Sequence, residues 1–213
     1  MELWHSFLQN KDRPIHKWAH YFDAYERHFR RYVGRPVVVF EIGCGRGGSL
    51  QMWKRYFGPL ATIVGMDIAP RCKGYEEDQI HVRIGDQSDH AFLESVIEEF
   101  GTPDIVIDDG SHVMSHINST FDYLFQRTDR HGVYLVEDLH TAYMENFEGG
   151  YLKKTTFIER CKGFIDELHA PHSSEIKATE ITRSTVSMHI YDSIVVLEKG
   201  ELGKRRSILI PSS

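Results

Sequence analysis

The chain has 213 residues, of which 41% are hydrophobic and 26% charged, with a formal net charge of -6. That length suits one sizeable core, and the composition is that of a globular protein rather than a disordered or fibrous one. The charge argues against a nucleic-acid or anionic-membrane partner, either of which needs a basic footprint, and no apolar run approaches the roughly 20 residues that cross a bilayer. The opening residues, Met1 to His5, lack a basic stretch leading into an apolar one and do not read as a signal peptide. Cys44, Cys72 and Cys161 are too few and too scattered for a disulfide framework or a zinc site, so each reads as a small packed hydrophobe in a reducing, cytoplasmic setting.

No repeat, low-complexity tract or linker divides the chain, so one domain is expected over 1–213, with 1–34 a helical cap and 35–213 an α/β core. Trp18, Tyr21, Phe22, Tyr25 and Phe29 follow the spacing of an amphipathic helix, which the breakers at Gly34-Arg35-Pro36 end. Strands and helices then alternate. Val37 to Phe40 predicts a strand buried on both faces, followed by a helix from Ser49, a plausible N-cap, to Phe57. Ala61–Met66 and Ile80–Ile84 are the next strands, and His90 to Phe100 is a helix. Asp104–Ile107 and Gly132–Val136 are the fourth and fifth strands, separated by a helix through Ile117, Phe121 and Leu124. After a helix near Thr156 to His169, two runs, Val186–Ile190 and Ile194–Leu197, flank Asp192-Ser193 as a hairpin. The sum is a Rossmann-like, mostly parallel seven-stranded sheet with a C-terminal antiparallel hairpin and helices on both faces.

The first strand runs into Glu41-Ile42-Gly43-Cys44-Gly45-Arg46-Gly47-Gly48-Ser49. Glycines there allow a tight turn and close approach of a ligand to a helix N-terminus. The run also satisfies the dinucleotide fingerprint, so alone it leaves a nicotinamide cofactor open. Glu41 discriminates. Its carboxylate would repel a pyrophosphate but suits the amino group and sulfonium of S-adenosylmethionine. Gly43, Gly45 and Ser49 are the loop's candidate contacts. Asp67, with Ile68 after it, closes the second strand where ribose hydroxyls are expected, and Asp86-Gln87 follow the third, near the adenine edge.

The fourth and fifth strands end in Asp108-Asp109-Gly110-Ser111-His112 and Glu137-Asp138-Leu139-His140. One acidic pair would read as a cap or a surface salt bridge. Two pairs at equivalent strand ends would repel unless a hard divalent cation, Mg²⁺ or another, joins them. Asp109, Glu137 and Asp138 are the expected ligands, with Asp108 placed towards the cofactor. His112 is the expected base for a hydroxyl acidified by the cation. His140 and Tyr143 are candidate substrate contacts, while His5, His116 and His172 read as surface or capping residues.

These residues resemble the metal-dependent sugar O-methyltransferases of the mycinamicin type and the related cephalosporin-hydroxylase-like group. The likeness is carried by Lys17-Trp18, Tyr25-Glu26-Arg27-His28-Phe29, Phe40-Glu41-Ile42-Gly43, Gly48-Ser49-Leu50, Met52-Trp53, Gly85-Asp86-Gln87-Ser88-Asp89, Ile107 to His112, and Val136 to Leu139. It implies a class I methyltransferase fold, magnesium held by Asp109, Glu137 and Asp138, His112 as base, and methylation of a sugar hydroxyl in a homo-oligomer, such as a dimer. It also implies that Lys17, His20 and Tyr21 fall in a segment covering the cofactor. The acceptor, a small-molecule glycoside or oligosaccharide, does not transfer with the fold. After Leu139 the chain reads His140-Thr141-Ala142-Tyr143-Met144-Glu145, where those enzymes tend to have Gln-Thr-Ser-Tyr-Trp, and 142–155 is the expected acceptor lid. Rival readings are methylation of a polyphenol, a nicotinamide-dependent oxidoreductase, and a non-catalytic cofactor-binding partner.

Overall fold

A computed structural model describes residues 2–203 and 205–210; Met1, Lys204 and Pro211 to Ser213 lie outside the described residues. Strands without a polar face must be covered on both sides. Accordingly β1 (Val37–Ile42), β2 (Ala61–Asp67), β4 (Ile105–Asp108) and β5 (Val133–Val136) are buried almost throughout, with β3 (Ile80–Ile84) at one edge. These five pair in parallel. An antiparallel hairpin, β6 (Thr185–Tyr191) and β7 (Ile194–Lys199), closes the sheet in the order β3-β2-β1-β4-β5-β7-β6. The sheet is the one expected from the sequence.

Against one face lie α1 (Glu2–Leu8), α2 (Tyr21–Phe29) and α3 (Gly48–Phe57), packing Leu3, Tyr25, Phe29, Trp53 and Phe57 on Val37, Ile63 and Ile105. Against the other lie α4 (His90–Phe100), α5 (Met114–Leu124) and α6 (Phe157–His169), joined through Phe121, Phe157 and Phe164. A short α7 (Glu180–Ser184) leads into β6.

Several local expectations need correction. The aromatic pattern does not form one helix from Trp18, because α2 starts at Tyr21 and Trp18 lies ahead of it, half exposed. The helix α1 is an addition, placing Trp4 and Phe7 against Phe22. Ser49 is not the N-cap of α3. Gly47 takes that position at φ 76, and the Ser49 hydroxyl donates to Glu41 at 2.7 Å instead. All three cysteines are buried and free, yet Cys44 and Cys72 are not scattered, since their sulfurs and an Asp67 carboxylate oxygen lie within 4.8 Å of one another.

β4 ends on Asp108, which is buried in the layer beneath α5. One oxygen accepts from Gln87 Nε2 at 3.2 Å, and the other has no partner among the described residues. Burial, only partly offset by the Gln87 hydrogen bond, pushes this carboxyl up to about 7. An unfolded aspartate titrates near 3.9. The stabilisation of the neutral acid is therefore complete below about pH 4 and lost as pH rises through about 7. Asp108→Asn cannot ionise and escapes that loss. In urea titrations with chelator present, the variant should gain on the wild type by a few kcal/mol between about pH 4 and 8. A pH-independent difference would mean that Asp108 ionises like an exposed carboxylate.

Candidate active site

The parallel register sets the geometry. Ile42 pairs with Asp108 and Asp108 with Val136, so Gly43, Asp109 and Glu137 leave the sheet side by side at its carboxyl edge. Ligands of open α/β sheets bind at that edge. Gly43, at φ 84, lets β1 and β4 exit in contact: a Cβ there would sit 2.1 Å from the Asp109 carbonyl oxygen. At Gly48 a Cβ would sit 2.3 Å from the Pro14 carbonyl, because a strap, residues 9–20, crosses over the start of α3.

Strap and sheet edge enclose a cavity of about 540 Å³, lined by Pro14, Lys17, Trp18 and Tyr21 on one side. Gly43, Gly45, Ser49, Asp109, His112, Glu137 and Asp138 line the other. A second, smaller space of about 180 Å³ starts on the far side of Gly43 and is lined by Asp67, Ile68, Asp86, Gln87, Ser111 and His116. Together they divide most of the expected cofactor contacts, Glu41 and Asp108 excepted, between a charged half and a half at the ends of β2 and β3.

Lys17 carries the electrostatics of the charged half. Its Nζ donates to Asp109 Oδ2 at 2.6 Å and to both Glu137 oxygens at 3.1 and 2.9 Å, and lies 3.6 Å from Glu41. Burial by itself pulls an ammonium down, but Asp109, Glu137 and Glu41 more than reverse it and hold Lys17 charged, well above its ordinary value. Burial and the neighbouring Asp109 push Glu137 up to about 8. Tyr25 donates to Glu137 at 2.8 Å, and Tyr21 donates to Asp138 at 2.6 Å. His112 Nε2 faces the other Asp138 oxygen at 3.7 Å. Both His112 and Asp138 have left-handed backbones, at φ 59 and 54.

Some expected residues lie elsewhere. Glu41 and Asp108 line neither space. Glu41 is wholly buried under the loop, accepting from Ser49 and from Trp53 Nε1 at 3.0 Å. Asp108 reaches the second space only through Gln87. Asp67 holds the loop itself, accepting from the backbone N–H groups of Cys44 and Gly45 at 3.1 Å each. His140 and Tyr143 border a third, more apolar space of about 550 Å³ with Ile158, Ile190 and Tyr191, and Trp18 stands edge-on to His140 beside it. His116 is neither a surface nor a capping residue: it is partly buried in the second space and hydrogen-bonded to Ser111 Oγ at 3.0 Å. Lys17 and Tyr25 were given no charge-pairing role by the sequence reading. A lysine in a stretch whose aromatics are buried was the available signal, since such a cation must find carboxylates.

No family model matches the chain. It is 39% identical over 196 residues to 8-demethyl-8-alpha-L-rhamnosyl tetracenomycin-C 2'-O-methyltransferase of Streptomyces olivaceus, a match covering 86% of the chain and 51% of the relative. It is 35% identical over 203 residues to mycinamicin VI 2''-O-methyltransferase of Micromonospora griseorubida, covering 88% and 50%. The chain thus spans about half the length of the curated relatives it matches. The MycE methyltransferase from the mycinamycin biosynthetic pathway, solved with Mg, SAH and mycinamycin VI, matches with a TM-score of 0.83 at 33% identity, over 94% of the chain and 53% of that protein. By sequence and fold together, the chain is similar to about half of these sugar O-methyltransferases and has a class I methyltransferase fold.

Proposed function

We propose that the chain is a magnesium- and S-adenosylmethionine-dependent O-methyltransferase that acts on a sugar hydroxyl of a glycoside or polysaccharide precursor. One observation carries the metal part: an ammonium stands among Asp109, Glu137 and Glu41, where a cation is needed to balance the carboxylates. The donor set suits a hard cation, since all the carboxylate ligands are oxygens. Asp109, His112 and Asp138 already bring ligand atoms within 4.8 Å of one another, and Glu137 lies behind Lys17. The cofactor part is supported by the two spaces meeting at Gly43 and by the S-adenosylhomocysteine and magnesium bound to the MycE relative.

When bound, the cofactor supplies a methyl group on a sulfonium, and the cation lowers the pKa of the acceptor hydroxyl. The chain's own residues do the rest. His112 takes the hydroxyl proton at a ring nitrogen, while Asp138, 3.7 Å from Nε2, favours the charged ring that results. Tyr21 fixes Asp138. Alignment of acceptor oxygen and methyl then supplies most of the rate. The apolar space beside His140 and Tyr143 suits the aglycone of the acceptor. We read the chain as one domain, in the cytoplasm and in a homo-oligomer. Free thiols support the setting, and Val186 and Ile190, exposed on the edge strand β6, support a contact between copies. Among the described residues no helix is long and apolar enough to cross a membrane.

Titration calorimetry of S-adenosylhomocysteine into the chelated protein, then with Mg²⁺, tests the class, with micromolar binding expected. A folded protein that binds under neither condition is not a methyltransferase of this kind. With an acceptor in hand, His112→Ala should lower kcat by about 10²–10⁴-fold while binding of S-adenosylhomocysteine is kept. A loss of only a few-fold would leave His112 a positioning role.

A further inference from the structure

Both oxygens of Glu137 are engaged by the ammonium while Lys17 is in place, at 3.1 and 2.9 Å, and one also accepts from Tyr25. Asp109 Oδ2 is engaged by the same ammonium at 2.6 Å. An ammonium and a divalent cation cannot both lie within bonding distance of these oxygens, because like charges at that separation repel strongly away from water. We propose that Lys17 is the resident cation of the metal-free site, and that a divalent cation entering between Asp109 and Glu137 displaces its ammonium and unlatches the strap. This rests on the metal reading above.

Three features make the exchange feasible. Glu41 keeps the Ser49 and Trp53 donors when Lys17 leaves, so no buried carboxylate is orphaned. Tyr25 remains on Glu137. Lys17 has a long flexible stem, and the next residue, Trp18, is already half exposed at the cavity mouth. The far end of the strap has its own anchor: the Arg13 side chain donates to the Tyr75 carbonyl at 2.8 Å and pairs with Glu77 at 3.6 Å. Release therefore concerns residues 14–20, the part that roofs the 540 Å³ cavity.

Hydrogen exchange of the full chain, followed by mass spectrometry with and without Mn²⁺, tests the exchange, with Mn²⁺ binding read separately by electron paramagnetic resonance. In the wild type, peptides covering 14–22, in which the Tyr21 and Phe22 amides donate to the Trp18 and Ala19 carbonyls, should exchange about tenfold faster once Mn²⁺ is saturating. In Lys17→Met those peptides should exchange fast without metal and unchanged with it, and Mn²⁺ should bind more tightly than to the wild type. Saturable Mn²⁺ binding with an unaltered or slower-exchanging strap overturns the exchange and leaves the metal site standing. Absence of Mn²⁺ binding to the folded wild type removes the metal reading itself. The wild-type comparison needs no variant, so it decides the matter even if Lys17→Met fails to fold.

Discussion

Three carboxylates crowded around one ammonium, with Asp138 beside them, are the constraint on which the site and much of the N-terminal structure depend. Parallel strands deliver their carboxyl ends to one edge, so the acids after β4 and β5 meet there irrespective of their charge. Crowding of this kind is costly away from water. The fold offsets it with Lys17 against Asp109 and Glu137, and with neutral donors: Tyr25 on Glu137, Tyr21 on Asp138, and Ser49 and Trp53 on Glu41. What repulsion remains appears as proton affinity, with burial foremost in raising Glu41 and Glu137. Three of these groups come from the strap and α2, which makes that segment part of the site rather than a cover laid over it.

The same aromatic side chains also seal the core. Tyr25 meets Trp53 edge-on at 5.1 Å and stacks on Phe29 at 5.9 Å, while its hydroxyl reaches Glu137. Trp53 packs between α2 and α3 while its indole N–H reaches Glu41. Burying a side chain of this size contributes about 1.5–3 kcal/mol. The positions of the acids are therefore as firmly set as the packing of the two helices. A charged group whose partners are held by core contacts is preorganised, and only the lysine, on its flexible stem, is free to exchange.

The sheet was legible because its central strands are buried apolar runs, a pattern that depends on neighbours in the chain. Strand ends were legible for the same reason, which is why Asp67, Asp86, Asp109 and Glu137 lie at one edge as expected. Partners brought from a distance were not. Lys17 meets Asp109 and Glu137 across 92 and 120 residues, and its chain neighbours mark that the cation needs carboxylates but not which ones. Ser49 illustrates the converse. Its local context favours a helix cap, yet a buried Glu41 eight residues earlier needs a donor, and that need outweighs the cap. His116 was read as surface because a lone histidine on a helix has no periodic signature, and only the fold brings it beside Ser111.

Backbone strain accounts for how consecutive acids can share one site. Along a strand neighbouring side chains point to opposite faces, and at the end of β4 they do so: Asp108 enters the layer under α5 while Asp109 faces the cavity. At the end of β5 both Glu137 and Asp138 line the cavity, which the alternation forbids. The left-handed turn at Asp138, φ 54, swings its carboxylate to the same side as Glu137, and the matching turn at His112, φ 59, brings the imidazole to meet it. Such conformations cost about 1–3 kcal/mol each, and aspartate and histidine are among the side chains that tolerate them best. The strain falls on the two residues whose side chains must converge. Among the described residues none within the seven strands has positive φ, so the sheet that positions the site does not carry that strain.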